Sequence, residues 1–145
     1  MFNNFSDGYK KALVNAENRA KNMGLKDLTI EDVFLEILRH ADGAIKELFS
    51  LYGVNEKLVI DIIDKGHFNT VIQKRKGVYG GMNKKLKDVI LASVKIAAGF
   101  SKPRATLEDL LISCIRNDTW LPNILDFVGI NPSDVETNLV ELVKM

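Results

Sequence analysis

The chain has 145 residues with a hydrophobic fraction of 46%, a charged fraction of 27% and a formal net charge of +1 at pH 7. These values are typical of one soluble globular domain, and so small a net charge gives no general reason to expect a nucleic acid or a membrane surface as the partner. No apolar run approaches the ~20 residues that a membrane-spanning helix needs.

Hydrophobic periodicity predicts two helices at the start of the chain. Apolar side chains recur every three or four positions over residues 9–23, which is typical of one buried helix face. Ser6 is the expected N-cap of this helix, and Gly24 is its expected stop. Thr29 begins a second helix, and Asp32 three positions later completes a pattern like a capping box.

The remaining helices follow in the same order. A short third helix ends at Gly53, and Asn55 caps a fourth helix. In the second half of the chain, Thr106 caps the second helix of a matching set. The last helix begins at Asn131-Pro132, an N-cap followed by proline at the first helical position, where the missing N–H has no cost.

The two halves of the chain repeat one another. The segment 29–35, Thr-Ile-Glu-Asp-Val-Phe-Leu, returns as 106–112, Thr-Leu-Glu-Asp-Leu-Leu-Ile. The apolar positions that match across the copies are Leu13 with Ile90, Ala20 with Ala97, Leu38 with Ile115, and Leu48 with Leu125. Copies at a fixed spacing are typical of a repeat architecture. The sequence therefore predicts an all-α fold in which two pseudo-symmetric four-helix repeats form one compact eight-helix domain.

We predict a single domain over 1–145, with repeat one at 5–65, a linker at 66–82 and repeat two at 83–144. The linker region is rich in glycine and positive charge. A connection of this length inside a compact domain is usually functional or mobile. The alternative is a plain linker that covers the interface between the repeats.

Motifs that carry catalytic chemistry are missing from the sequence. It has no nucleotide-binding P-loop, no G-x-S-x-G segment, and no Cys/His metal-binding spacing around His40 and His67, its two histidines. We therefore expect no cofactor and no metal in this chain, and a non-enzymatic protein. An unrecognised hydrolase remains a rival, and it would need a deep cleft with converging carboxylates of perturbed pKa.

The single cysteine, Cys114, rules out an intrachain disulfide and is consistent with a reducing cytoplasm. Because it lies in an apolar stretch, we expect it to be a small buried side chain. The N-terminal residues lack the basic and apolar regions of a signal peptide. A cytoplasmic protein is therefore expected.

One stretch of the linker provides a local case for nucleic-acid binding. Lys74, Arg75 and Lys76 are consecutive cations, and Tyr79 follows them. Such charges on a loop are more often a solvated patch. A stand-alone helical protein that binds nucleic acid through this stretch is the alternative function.

The helix order and the doubled segment resemble the N-terminal domain of the Clp ATPases, the unfoldases and disaggregases ClpA, ClpB and ClpC. The resemblance extends from Phe5 to about Val143. Residues 30–35 resemble the family's segment of a threonine, a glutamate, a histidine and three leucines, and Tyr79 with residues 84–90 resembles the start of its second copy. The pattern is most similar to that of ClpC-type proteins.

The resemblance implies a domain that performs no chemistry and is attached to a hexameric ATPase ring. It would receive client proteins and adaptor proteins and deliver clients to the ring, and indirectly to its peptidase, in a chaperone and proteolysis system of the stress response. ATP is then expected only in modules that follow this segment. A segment of a longer protein is favoured over a free-standing domain.

In the ClpC branch, the glutamate of each copy belongs to a pocket for phosphoarginine, and Glu31 and Glu108 match it here. A carboxylate can accept paired hydrogen bonds from a guanidinium group, and free N–H groups at a helix start can hold phosphate. Alternatively, acidic residues in a first helical turn simply interact with the helix dipole, typically by ~0.3–1 kcal/mol.

Two departures from the ClpC pattern bear on this ligand. The threonine beside each glutamate is replaced by Ile30 and Leu107, which cannot donate a hydrogen bond to phosphate. The histidine that follows is replaced by Asp32 and Asp109, whose charge we expect to repel phosphate. The candidate residues for binding a ligand or client are Glu31, Glu108, Ile30, Leu107, Tyr79 and Trp120.

An apolar groove is the other candidate docking surface. Its candidate aromatic residues are Phe2, Phe5, Phe68, Tyr79, Phe100 and Trp120. Trp120 follows a turn-like stretch, which places its ring near the surface in one interpretation. In the other interpretation, Trp120 covers the interface between helices.

Overall fold

A computed structural model describes residues 4–40, 43–65 and 75–144. The described residues form eight α-helices, which confirms the all-α prediction. They are α1 (Asp7–Asn22), α2 (Ile30–His40), α3 (Gly43–Leu51), α4 (Glu56–Asp64), α5 (Lys84–Gly99), α6 (Leu107–Asn117), α7 (Trp120–Phe127) and α8 (Pro132–Lys144). The limits given above for the repeats and the linker stay a prediction, since residues 66–74 lie outside the described part.

Helix caps confirm several of the predicted helix starts. The Ser6 side chain accepts a hydrogen bond from the Tyr9 N–H at 3.3 Å. Asn55 Oδ1 accepts one from the Leu58 N–H at 2.9 Å. Each cap satisfies an N–H group that the first turn of a helix otherwise leaves without a partner.

The second helix of each repeat begins with a threonine that is hydrogen-bonded to a buried aspartate. Asp32 Oδ2 accepts hydrogen bonds from the N–H and the hydroxyl of Thr29, each at 3.0 Å. Asp109 Oδ2 accepts the equivalent bonds from Thr106 at 2.8 and 3.0 Å. The Asp32 residue is 8% exposed and Asp109 is fully buried. The doubled segment therefore carries the same cap twice, as predicted from its spacing.

Each of these buried carboxylates also has a cation beside it. Asp32 lies 2.5 Å from Arg75 Nη2, and Asp109 lies 2.6 Å from Lys102 Nζ. Arg75 donates a further hydrogen bond from Nε to Asp27 at 3.1 Å. We expected the two aspartates to repel an anion at the helix start. That expectation stays a prediction, but both carboxylates are buried, paired with a cation and occupied as caps.

The two repeats exchange backbone hydrogen bonds immediately before their helices begin. We call these four bonds the crossover bonds. They run from Leu28 N to Gly81 O at 3.0 Å, from Asn83 N to Leu28 O at 2.9 Å, from Ala105 N to Asn4 O at 2.7 Å and from Ser6 N to Ala105 O at 2.9 Å. In both pairs, the residue before the second helix of one repeat is bonded to the residues before the first helix of the other. The repeats are therefore joined by the same connection twice.

The core confirms the predicted correspondence between the copies. Ala20 and Ala97 are 1% and 2% exposed, and Leu48 and Leu125 are buried as well. Among the closest helix pairs, α1 packs on α2, α5 on α6, and α6 on α8. Cys114 is buried as predicted, and burial raises the pKa of its thiol to about 12.

Residues 75–82 form a segment that lies along residues 23–28, and we call it the strap. Its backbone bonds run from Lys26 N to Arg75 O at 2.6 Å, from Gly77 N to Gly24 O at 2.9 Å and from Gly80 N to Lys26 O at 2.8 Å. The Tyr79 hydroxyl donates to Glu17 Oε2 at 3.0 Å. Burial, together with this hydrogen bond, raises the pKa of Tyr79 to about 12.

Replacing the second-repeat cap aspartate tests how much the buried cap stabilises the fold. We expect Asp109→Ala to lower the free energy of unfolding by about 3 kcal/mol, because it leaves Lys102 and the Thr106 N–H without their partner. Urea unfolding measures the change. The control is Asp88→Ala, which removes an exposed pair with Lys84 and is expected to change the free energy by less than about 0.5 kcal/mol. Equal losses in the two variants would contradict the assignment.

Candidate functional site

Two surface grooves lie where the second helix of one repeat begins against the other repeat. Groove one has a volume of about 330 Å3 and is bordered by the starts of α1 and α6 and the end of α2. Its lining includes Gly8, Lys11, Glu36, His40, Leu107 and Glu108. Groove two has a volume of about 300 Å3 and is bordered by the starts of α2, α5 and α7. Its lining includes Ile30, Glu31, Asn83, Lys85, Asp118 and Trp120.

The two grooves are equivalent under the internal repeat. Glu108 in groove one and Glu31 in groove two are the matching first-turn glutamates of α6 and α2. Ser6 lines groove one at the start of α1, and Asn83 lines groove two at the start of α5. Each groove therefore combines residues of both repeats, and the crossover bonds hold the helix starts that border it.

The structure divides the six predicted binding residues among three places. Ile30, Glu31 and Trp120 line groove two, whereas Leu107 and Glu108 line groove one. Tyr79 lies on the strap, where its hydroxyl is bonded to Glu17 and its ring is 5.3 Å from Lys21 Nζ. It is not part of the lining of either groove.

Several groove residues were missed by the sequence analysis. Lys11, His40 and Lys85 come from helix ends that only the folded chain brings beside the glutamates, so no local pattern marks them. Glu36 could have been found, because it is a charged residue on the apolar face of α2, where the second copy has Ser113.

Groove two has its own electrostatic character. Burial raises the pKa of the partly buried Glu31, and hydrogen bonding with Thr29 and the charge of Arg75 oppose this shift. Lys85 is exposed at the same groove and supplies a cation. The groove therefore has two acidic residues, Glu31 and Asp118, and one basic residue, Lys85, on its wall.

Trp120 is 8% exposed, and its ring packs edge-on against Phe34 at 5.7 Å between centroids. This position agrees with the interpretation that Trp120 covers a helix interface. Its indole Nε1 is buried and has no hydrogen-bond partner among the described residues. An indole N–H is only a donor, so an acceptor that entered groove two could satisfy it.

Among the described residues, the aromatic side chains proposed for an apolar groove do not share one surface. Phe5 is buried, with its ring 4.5 Å from that of Tyr9, and Phe100 packs against the core. Phe2 and Phe68 lie outside the described residues. The two grooves beside the glutamates are therefore the better candidates for a docking surface.

Two further findings concern residues 4–40, 43–65 and 75–144. No helix in these ranges combines the length and apolar character needed to cross a membrane. The same ranges contain no group of three or more histidine, cysteine, aspartate or glutamate side chains placed to hold a metal ion.

These features define a helical double-repeat domain with two equivalent surface grooves. The family model of the Clp repeat (R) N-terminal domain matches residues 4–121. The chain belongs to this family, the N-terminal domains of Clp/Hsp100 ATPases, which are non-catalytic helical domains. No curated protein matches the sequence.

Solved structures share this fold at low sequence identity. The N-terminal domain of the caseinolytic protease associated chaperone ClpD from Arabidopsis thaliana is 15% identical, with a TM-score of 0.78, and the match covers 100% of this chain and 97% of that one. The Hsp104 N-terminal domain from Candida albicans is 16% identical, with a TM-score of 0.76 and coverage of 96% and 91%.

A third similar structure is a complex of the ClpV N-domain with a VipB peptide. It is 11% identical and has a TM-score of 0.75, and the match covers 97% of this chain and 88% of that one. Because the similar structures include ClpD, Hsp104 and ClpV, the ClpC-type assignment is not established.

The raised pKa of Glu31 predicts a pH-dependent contribution to stability. Because its pKa is raised in the folded state, the protonated form of Glu31 is favoured by folding. This stabilisation is complete below the unfolded-state pKa of a glutamate, about 4.3, and it is lost as the pH rises through the folded-state pKa. Glu31→Gln removes this loss, so the variant should gain stability relative to the parent between about pH 4 and about pH 7. Urea unfolding at the two pH values measures the free energy of unfolding of both proteins. A difference in this free energy between variant and parent that is independent of pH would refute the prediction.

Proposed function

We propose that this domain docks client and adaptor proteins for a Clp ATPase and delivers clients to its ring, and indirectly to its peptidase. The observation that carries the proposal is the pair of equivalent grooves, each with a first-turn glutamate from one repeat and a wall from the other. Two related sites of about 300 Å3 are large enough for side chains of an extended segment.

The similar structure of a ClpV N-domain with a VipB peptide supports this proposal. In that protein the fold binds a peptide, which is the class of ligand that a client- or adaptor-docking domain requires. The proposal extends to a cytoplasmic, full-length Clp ATPase whose ATP-binding modules lie outside this segment.

Phosphoarginine is a second candidate ligand, and groove two supports it. Glu31 is available to accept hydrogen bonds from a guanidinium group, while Lys85 on the same groove could pair with phosphate. The buried Trp120 Nε1 is a further donor without a partner among the described residues. The ion pair of Asp32 with Arg75 reduces the repulsion that this carboxylate would exert on an anion.

The alternative of nucleic-acid binding loses its support in the described part of the linker. Arg75 is paired with Asp27 and Asp32, and Lys76 Nζ donates to the Met23 carbonyl at 2.8 Å. Lys74 lies outside the described residues. The described cations of this stretch are thus engaged with the protein itself.

Filling the grooves tests the docking proposal. A Cβ atom at Gly8 would have Leu107 as its nearest neighbour at 4.0 Å, so this position has room for the start of a side chain. Gly8→Trp should therefore fill groove one. Lys85→Trp should fill groove two. We expect the double variant to bind a fluorescently labelled unfolded protein, carboxymethylated α-lactalbumin, at least about tenfold more weakly, a change of about 1.4 kcal/mol.

The control variant is Glu141→Trp, on an exposed part of α8, which should bind as the parent does. Anisotropy titrations measure all three proteins. Parent-like affinity in the double variant would count against docking at the grooves. Free phosphoarginine is added as a competitor in the same assay: displacement that Glu31→Ala abolishes would support the second candidate, and no displacement at millimolar ligand would end it.

A further inference from the structure

Groove one contains a buried carboxylate that groove two lacks. Glu36 is 3% exposed and lines groove one from the middle of α2. The matching residue of repeat two is Ser113, whose hydroxyl donates to the Val89 carbonyl at 2.7 Å. The second copy thus has a neutral, hydrogen-bonded side chain at the position of Glu36. The shared architecture therefore does not require a charge there.

Glu36 has few partners for a charge so well buried. Its Oε1 lies 3.4 Å from Arg39 Nη1, but Arg39 directs its Nε and Nη2 to Glu56 instead. Glu36 Oε2 accepts no hydrogen bond from the described residues. His40 Nε2 lies 3.2 Å from that oxygen without a hydrogen-bonding geometry, and the His40 side chain is 52% exposed. A buried carboxylate is costly unless it is paired and fully hydrogen-bonded.

The charges around groove one favour a cation. Its lining carries the carboxylates of Glu36 and Glu108 and the ammonium group of Lys11. These three side chains together give the lining one net negative charge. A planar guanidinium group offers five donors in a fixed arrangement and forms paired hydrogen bonds with carboxylates, which an ammonium group does not match.

We propose that groove one binds the unmodified guanidinium group of an arginine side chain in a docking protein. Glu36 Oε2 accepts its hydrogen bonds once the exposed ring of His40 rotates aside, and Glu108 supplies the second carboxylate. A phosphate on the guanidinium would bring negative charge towards the buried carboxylate of Glu36, so groove one favours the unmodified group. This inference rests on the proposed docking function and names the group that groove one recognises.

The test uses two small probes that differ in one group. N-acetyl-arginine amide is positively charged, whereas N-acetyl-citrulline amide has nearly the same shape and is neutral. Two-dimensional 1H–15N spectra of the protein are recorded during titration with each probe. We expect the arginine probe to shift the amide signals of Lys11, His40 and Glu108, and the citrulline probe to bind at least about tenfold more weakly, as the loss of a charged partner implies.

Three variants assign the site. Glu36→Gln keeps the shape of the side chain and should weaken the arginine probe at least about fivefold. Glu36→Ser introduces the residue that repeat two carries at this position, and it should have the same effect if the glutamine variant is poorly folded. Glu141→Gln, on an exposed part of α8, is the control and should leave the affinity unchanged. Thermal melts of each variant establish that the proteins compared are folded.

Equal affinity for the two probes, or an unchanged affinity in both folded Glu36 variants, would overturn the inference. The titration uses no client protein, so its failure would leave the docking proposal standing. Conversely, parent-like docking in the groove-filled double variant, together with an intact arginine response of the parent protein, would refute docking at the grooves and not the cation site. Binding of free phosphoarginine at groove one with the same affinity as the arginine probe would also contradict it.

Discussion

The crossover bonds are the constraint on which the rest of the fold depends. Backbone N–H and C=O groups that are buried between packed elements must find partners, and here they find them in the other repeat. Leu28 and Ala105 each use both of their backbone groups in this way. Ile30 and Leu107 begin their helices two residues later. The position of one repeat therefore fixes where the second helix of the other begins, and with it both grooves.

The local parts of this structure could be predicted from the sequence, and the parts that join distant residues could not. Thr29 with Asp32 is an interaction over three residues, so the spacing alone indicated the cap. The pairing of Asp32 with Arg75 spans 43 residues and has no local pattern. For the same reason, the glutamates were recognised as candidates while Lys85 beside Glu31 was not. Matching the copies predicted the fold, but the grooves formed between copies required the structure.

One backbone arrangement supports two sites of different chemistry. The helix starts that border the grooves are equivalent, yet Gly8 in groove one corresponds to Lys85 in groove two. Glu36 and Ser113 differ in the same way, so groove one has a buried carboxylate that groove two lacks. Since the caps and crossover bonds are separate from these positions, side chains on the walls can differ without loss of the frame. The repeat thus doubles the scaffold and leaves the wall residues of each groove free to differ.

Native-state hydrogen exchange of the crossover amides tests the central claim most directly. The account predicts that the N–H groups of Leu28, Asn83, Ser6 and Ala105 exchange only when the whole domain unfolds, with one common free energy equal to that from urea unfolding. Opening of either pair at a clearly lower free energy, while the helix cores stay protected, would contradict it. In that case the repeats would be separable units, and the crossover bonds would not determine the geometry of the grooves.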